Sequence, residues 1–152
     1  APQRIALLLE HLIFCAVGSA VGSSETETRQ THIVQPEETT LYPEICSSQA
    51  QGILQKWLTF FNLGQTRPLP FFAKTSLAAA EAYGKKQSWE DALNKAKESY
   101  HGNKVSKGQK DYTEVALVFG NEPVEGALFQ RLVEELLIPL LEAVKEESSD
   151  AA

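Results

Sequence analysis

The segment Pro68-Leu69-Pro70-Phe71-Phe72-Ala73-Lys74-Thr75-Ser76-Leu77-Ala78 constrains the fold more than any other stretch of the chain. Each proline fixes φ and removes a backbone donor. Each also biases the residue before it away from helix. The chain must therefore run extended through Pro68–Pro70 and enter a helix beyond them. Thr75 or Ser76 reads as the cap of a short alanine-rich helix that reaches Tyr83. Phe71 and Phe72 stand at the end of the stiff arm. They are interface candidates, since adjacent exposed aromatic rings mark a partner surface. The competing reading packs both rings under the first helix.

The 152 residues fit one domain, expected to be a piece of a longer chain because it starts at Ala1 and holds no methionine. Residues 3–17 carry Ile5, Leu8, Leu9, Leu12, Ile13 and Ala16 at helical spacing, widened by Leu7 and Phe14, so burial on more than one side is expected. This run, with Arg4 before it and small residues after it, mimics a secretion signal, but Glu10 and His11 interrupt it and it is too short to span a bilayer. A buried amphipathic helix fits better. Cys15 and Cys46 are expected as buried free thiols, with no spacing that suits a metal.

Thr28–Val34 and Thr39–Ile45 alternate and flank the turn Pro36-Glu37-Glu38, which predicts a hairpin. A helix follows from Ser47 or Ser48 to Gly64, with Gln51 as capping-box partner and with Trp57, Phe60 and Phe61 on a broad aromatic face. Ser88 caps another helix that reaches Tyr100. Tyr112–Phe119 contains the unbroken run Val115-Ala116-Leu117-Val118-Phe119 and reads as a strand buried on both faces. Residues 124–147 read as the longest helix, which Pro139 should kink or split. The fold class is α/β, a small mixed β-sheet flanked by helices. Trp57, Phe61, Leu117 and Phe119 are the expected core.

The net charge is −6, unevenly placed. Residues 85–110 carry seven lysines against three acidic residues, whereas residues 122–150 carry eight acidic residues against two basic ones. The loop Lys104-Val105-Ser106-Lys107-Gly108-Gln109-Lys110 is the best candidate for contact with nucleic acid. Lys104, Lys107 and Lys110 can follow a phosphate backbone, with Tyr100 and His101 beside them as rings for base stacking. The alternative is a solvated loop tip. His11, His32 and His101 are scattered, and no phosphate-binding loop or G-x-S-x-G motif is present, so no cofactor, metal or catalytic residue is assigned.

Several pieces, in order along the chain, resemble the C-terminal domain of the exodeoxyribonuclease V gamma chain, the RecC family. They are Leu8-Leu9-Glu10-His11-Leu12-Ile13, the Pro68–Ala78 segment, Ser99-Tyr100-His101-Gly102-Asn103, Phe129-Gln130-Arg131-Leu132 and Leu137-Ile138-Pro139-Leu140-Leu141. The resemblance implies a restriction-endonuclease-like core, whose active members carry P-D, then (D/E)-x-K, on a hairpin. Here Pro36-Glu37 and Pro43-Glu44 are half-motifs, and Cys46 stands where a lysine is required.

The resemblance implies a degenerate, non-catalytic domain of a cytoplasmic helicase–nuclease that acts in double-strand break repair and recombination. Its implied partners are RecB-like and RecD-like subunits, duplex DNA ends and separated single strands, with no membrane. The alternatives are a divergent metal-dependent nuclease that uses Glu37 and Glu44, and a docking domain that never touches DNA.

Overall fold

A computed structural model describes residues 1–17, 29–34, 39–102, 107–120 and 123–144. These residues are mostly helical, with one two-stranded antiparallel sheet.

Helix α1 (Pro2–Val17) buries Ile5, Leu8, Leu12, Cys15 and Ala16 along one face. Its other face is exposed at Ile13, Phe14 and Val17, so the expected burial on more than one side does not occur. Strands β1 (Thr31–Val34) and β2 (Thr39–Tyr42) form the expected hairpin, from Thr31 opposite Tyr42 to Val34 opposite Thr39. His11 joins this hairpin to α1. Its Nδ1 lies 2.7 Å from Thr31 Oγ1, and its Nε2 donates to the Pro43 carbonyl at 2.9 Å. A buried polar ring is tolerated when both nitrogens are satisfied.

Helix α2 (Ser47–Gly64) packs on α1. The expected capping box at Ser48 does not form, because Cys46 occupies the N-cap and makes no side-chain cap bond. Ser47 Oγ and Gln51 Nε2 instead donate to the Ala16 carbonyl, at 2.9 and 3.1 Å. That carbonyl belongs to the last turn of α1, where carbonyls lack helical partners. One helix start therefore completes another helix's end.

The proline arm is free of helix as its sequence dictates, but it turns at Pro70 and does not run fully extended. Phe71 N–H turns back on the Leu69 carbonyl across Pro70, at 2.7 Å. Helix α3 (Ala73–Lys86) starts directly after Phe72, whose N–H donates to Ser76 Oγ at 3.2 Å. Thr75 and Ser76 thus lie inside the first turn, buried, rather than ahead of it. Helix α4 (Trp89–His101) is capped as expected, with Asp91 N–H donating to Ser88 Oγ. It packs along α3, and the small side chains of Ala79, Ala92 and Ala96 are fully buried.

The predicted strand at 112–119 is wrong. Thr113–Phe119 is a short helix, α5. An isolated strand leaves its amide groups unpaired, whereas a helical turn satisfies them within the segment. Only Val115 and Phe119, four residues apart, turn toward the core, while Leu117 is 82% exposed.

The terminal helix is divided as Pro139 requires. Helix α6 (Ala127–Leu132) runs into a π-helical turn over Val133–Leu137, then into α7 (Ile138–Ala143). Ile138 N–H reaches the Val133 carbonyl five residues back. The proline ring would clash with the carbonyl four residues before it in a regular helix, and the wider turn lies just where that clash would fall.

Leu8, Leu12, Tyr100, Phe129, Leu137 and Leu140 are fully buried and form the centre of the core. The expected core residues fare differently. Trp57 and Phe119 are half-buried and Phe61 is 64% exposed.

Candidate functional site

The lysine loop springs from the end of α4. Gly102 closes that helix at φ +69° and forms an antiparallel bridge with Lys107. Gly108 then lies against the helix end so tightly that a Cβ there would sit 2.3 Å from the Tyr100 carbonyl oxygen. Its N–H donates to Asp111 Oδ2 at 2.8 Å, which fixes the turn Gln109–Asp111. Lys107 is exposed and Lys110 half-exposed at the base of this loop. Lys104 lies outside the described residues.

The stacking rings are placed unequally. Tyr100 is fully buried, donates its hydroxyl to the Gly120 carbonyl at 2.8 Å and packs on Phe72. Burial pushes its phenol above the usual range. It has no face to offer a base, so Tyr100 is withdrawn as a stacking residue. His101 is half-exposed and edge-on to Tyr100, with ring centres 5.7 Å apart.

The basic character of residues 85–110 is also smaller than the count of lysines suggests. Lys86 pairs with Asp91, Lys95 with Glu98 and Lys97 with Glu125. Among the described residues, Lys85, Lys107 and Lys110 are left without an ion pair.

On the hairpin, Glu44 is exposed and Pro43 gives its carbonyl to His11. Glu37 and Glu38 lie outside the described residues. Among the described residues, no three His, Cys, Asp or Glu side chains cluster to hold a metal ion. Both cysteines are free, and Cys46, contrary to expectation, is exposed. The hydroxyl of Ser48 first, and then the N–H groups of Ser48 and Gln49, pull its thiol below the usual range. A thiol at this position supplies no fixed positive charge to a phosphate.

A third feature escaped sequence reasoning. Trp57, Phe60 and Phe61 of α2 face Leu69 and Phe71 of the proline arm and Leu136 of the π turn across a groove of about 260 Å³. Phe71 stands edge-on to Trp57 at 5.6 Å between ring centres. Of the two interface candidates, only Phe71 is half-exposed; Phe72 is buried against Tyr100 and Phe119 and is withdrawn. Arg131 places its guanidinium 5.8 Å above the centre of the Phe60 ring. Arg131 and Lys56 both bind Glu135, whose carboxyl is held below its usual range first by the Arg131 bond and then by the Lys56 bond. The available signal was α2 itself, which carries more large apolar residues between Ile53 and Phe61 than one helix face can bury.

No helix among the described residues is long and apolar enough to cross a membrane. Among known families, the model of the RecC C-terminal domain matches the chain over residues 1–84. No curated protein and no solved structure matches the chain. The matched range takes in α1, the hairpin, α2, the proline arm and nearly all of α3. The resembling pieces at 99–103, 129–132 and 137–141 lie beyond it.

Proposed function

The chain belongs to the RecC C-terminal domain family, and from that premise we propose that it is a non-catalytic docking and DNA-handling domain of a cytoplasmic helicase–nuclease of the RecBCD type, exodeoxyribonuclease V. The observation that carries this reading is the family match itself, which spans more than half of the chain. On this reading the β1–β2 hairpin is the counterpart of the metal-holding hairpin in a restriction-endonuclease-like core. Cys46 at the lysine position supports a hairpin that no longer cuts. ATP hydrolysis and strand cleavage then belong to other subunits, and this domain helps to hold them together and to route separated strands during break repair.

Two assays test this. The full-length chain, with or without this domain, is assembled with its helicase and nuclease partners, and duplex-end binding and assembly are measured. Loss of both on deletion is expected. The domain is then incubated with linear duplex and single-stranded DNA in Mg²⁺ or Mn²⁺. Cleavage abolished by Glu44→Ala would overturn the non-catalytic reading in favour of a divergent nuclease.

A further inference from the structure

We infer that Asp111 is a positioning residue: through its hydrogen bond, and against its own charge, it sets Lys107 and Lys110 for contact with a DNA phosphate backbone. This rests on the DNA-handling reading above and names a residue on which that contact depends. Three observations carry it.

The first is where the carboxylate goes. Asp111 Oδ2 accepts from the Gly108 N–H at 2.8 Å, and the Gly108 carbonyl accepts from the Asp111 N–H at 3.3 Å. The two bonds close a ring around Gln109 and Lys110. The second is what this turn rests on. Gly108 is buried against the backbone of Tyr100, His101 and Gly102 at the end of α4, and Lys107 bridges to Gly102. Lys107 and Lys110 therefore leave a backbone that is anchored on a helix. The third is charge. Among the described residues, Asp111 pairs with neither lysine, and the carboxylates of neighbouring elements are engaged elsewhere, Glu98 by Lys95 and Glu125 by Lys97. Glu114, in the first turn of α5, pairs with neither lysine as well.

A lysine is a point charge on a flexible stem. It contributes more to binding when the backbone that carries it needs no further ordering. A carboxylate beside two phosphate-binding lysines is otherwise unfavourable, because it repels the same polymer. Charge and hydrogen bonding thus predict opposite signs for the loss of Asp111. Among the described residues, the carboxylate's partner is the Gly108 N–H, so the hydrogen bond is the effect that should win.

The test uses the full-length chain assembled with its helicase and nuclease partners. A fluorescent linear duplex is titrated at several salt concentrations, with thermal melting of each variant alongside. Asp111→Asn removes the charge and keeps an acceptor, whereas Asp111→Ala removes both. Asp111→Asn should bind the duplex at least as tightly as the parent. Asp111→Ala should bind about three-fold or more weakly than Asp111→Asn, the scale of one hydrogen bond. Its slope of log affinity against log salt should flatten toward that of a variant carrying both Lys107→Gln and Lys110→Gln, a change that lost stability alone does not produce. If Asp111→Ala melts early, Asp111→Ser replaces it, since its side chain is one bond too short for the Gly108 N–H. Equal binding by the Asn and Ala variants overturns the inference, whichever way the two move. If the double lysine variant weakens binding while those two agree, the positioning role fails and the DNA-handling reading of the loop stands. If the double lysine variant binds as the parent does, the loop does not meet DNA, and the inference falls with that reading.

Discussion

At Gly108 a methyl group has nowhere to go. Its Cβ would fall 2.3 Å from the Tyr100 oxygen and 2.4 Å from the His101 carbonyl carbon, both backbone atoms that cannot swing aside. Gly108→Ala should therefore push the lysine loop off the end of α4 and cost about 1–3 kcal/mol, as overpacking does. Urea unfolding measures this, and an unchanged midpoint would mean that the loop does not lie against the helix. Glu135 offers a second test at the same scale. Its folded pKa is depressed, so the stability it adds is present above the ordinary glutamate range and is lost as the pH falls through the folded value. Glu135→Gln should cost about 0.2–1 kcal/mol at neutral pH, the range for partly exposed ion pairs. The gap to the parent should close in strong acid. A gap that widens on acidification would contradict the pairing with Arg131 and Lys56.

Among the elements, α5 is where local sequence and observed structure diverge most. The run Val115–Phe119 has the composition of a strand buried on both faces. A strand buried on both faces would make every residue of the run costly to change. The helix instead points Val115 and Phe119 inward and leaves Leu117 in solvent. Leu117→Glu should leave stability within about 0.5 kcal/mol. Phe119→Ala should cost about 2–3 kcal/mol, below the roughly 3–5 expected at a fully buried site, because the ring packs edge-on to Phe72 while half-exposed. Thermal melts of the two variants separate the alternatives, and equal large losses would restore the strand. The last helix shows the opposite case. Pro139 removes a donor and collides with the preceding turn in any context, so its effect was readable in advance.

For the whole molecule, a net charge of −6 repels a phosphate backbone, so any contact with DNA has to use a locally basic surface. Three of the seven lysines in residues 85–110 are engaged by carboxylates of the same fold. Among the described lysines of that segment, this leaves Lys85, Lys107 and Lys110 with no carboxylate paired to them. Replacement of Lys104, Lys107 and Lys110 by glutamine in the assembled complex should weaken duplex-end binding. It should also flatten the slope of log affinity against log salt by about 0.7–0.9 for each lysine that had neutralised a phosphate. Identical affinity and slope would make the loop a solvated tip and leave docking as the domain's role.

The parts fixed by short-range physics were legible without a structure. Helix α1 follows from apolar residues at helical spacing, the hairpin from two alternating runs about a proline turn, the Ser88 cap from its hydroxyl, and the helix-free arm from two prolines. Two of the resembling pieces, Leu8–Ile13 and Pro68–Ala78, lie within residues 1–84, where the family model matches. What the sequence left open depends on which surfaces meet. Spacing places Trp57, Phe60 and Phe61 on α2, but only the arrival of the proline arm and the π turn leaves a groove between them. Tyr100 reads as a loop-side ring until Gly120 brings a carbonyl to its hydroxyl. Apolar residues carry no address for their partners, since hydrophobic attraction is non-directional. The register and approach of distant elements therefore decide which side chains are buried, and those are set by tertiary packing alone.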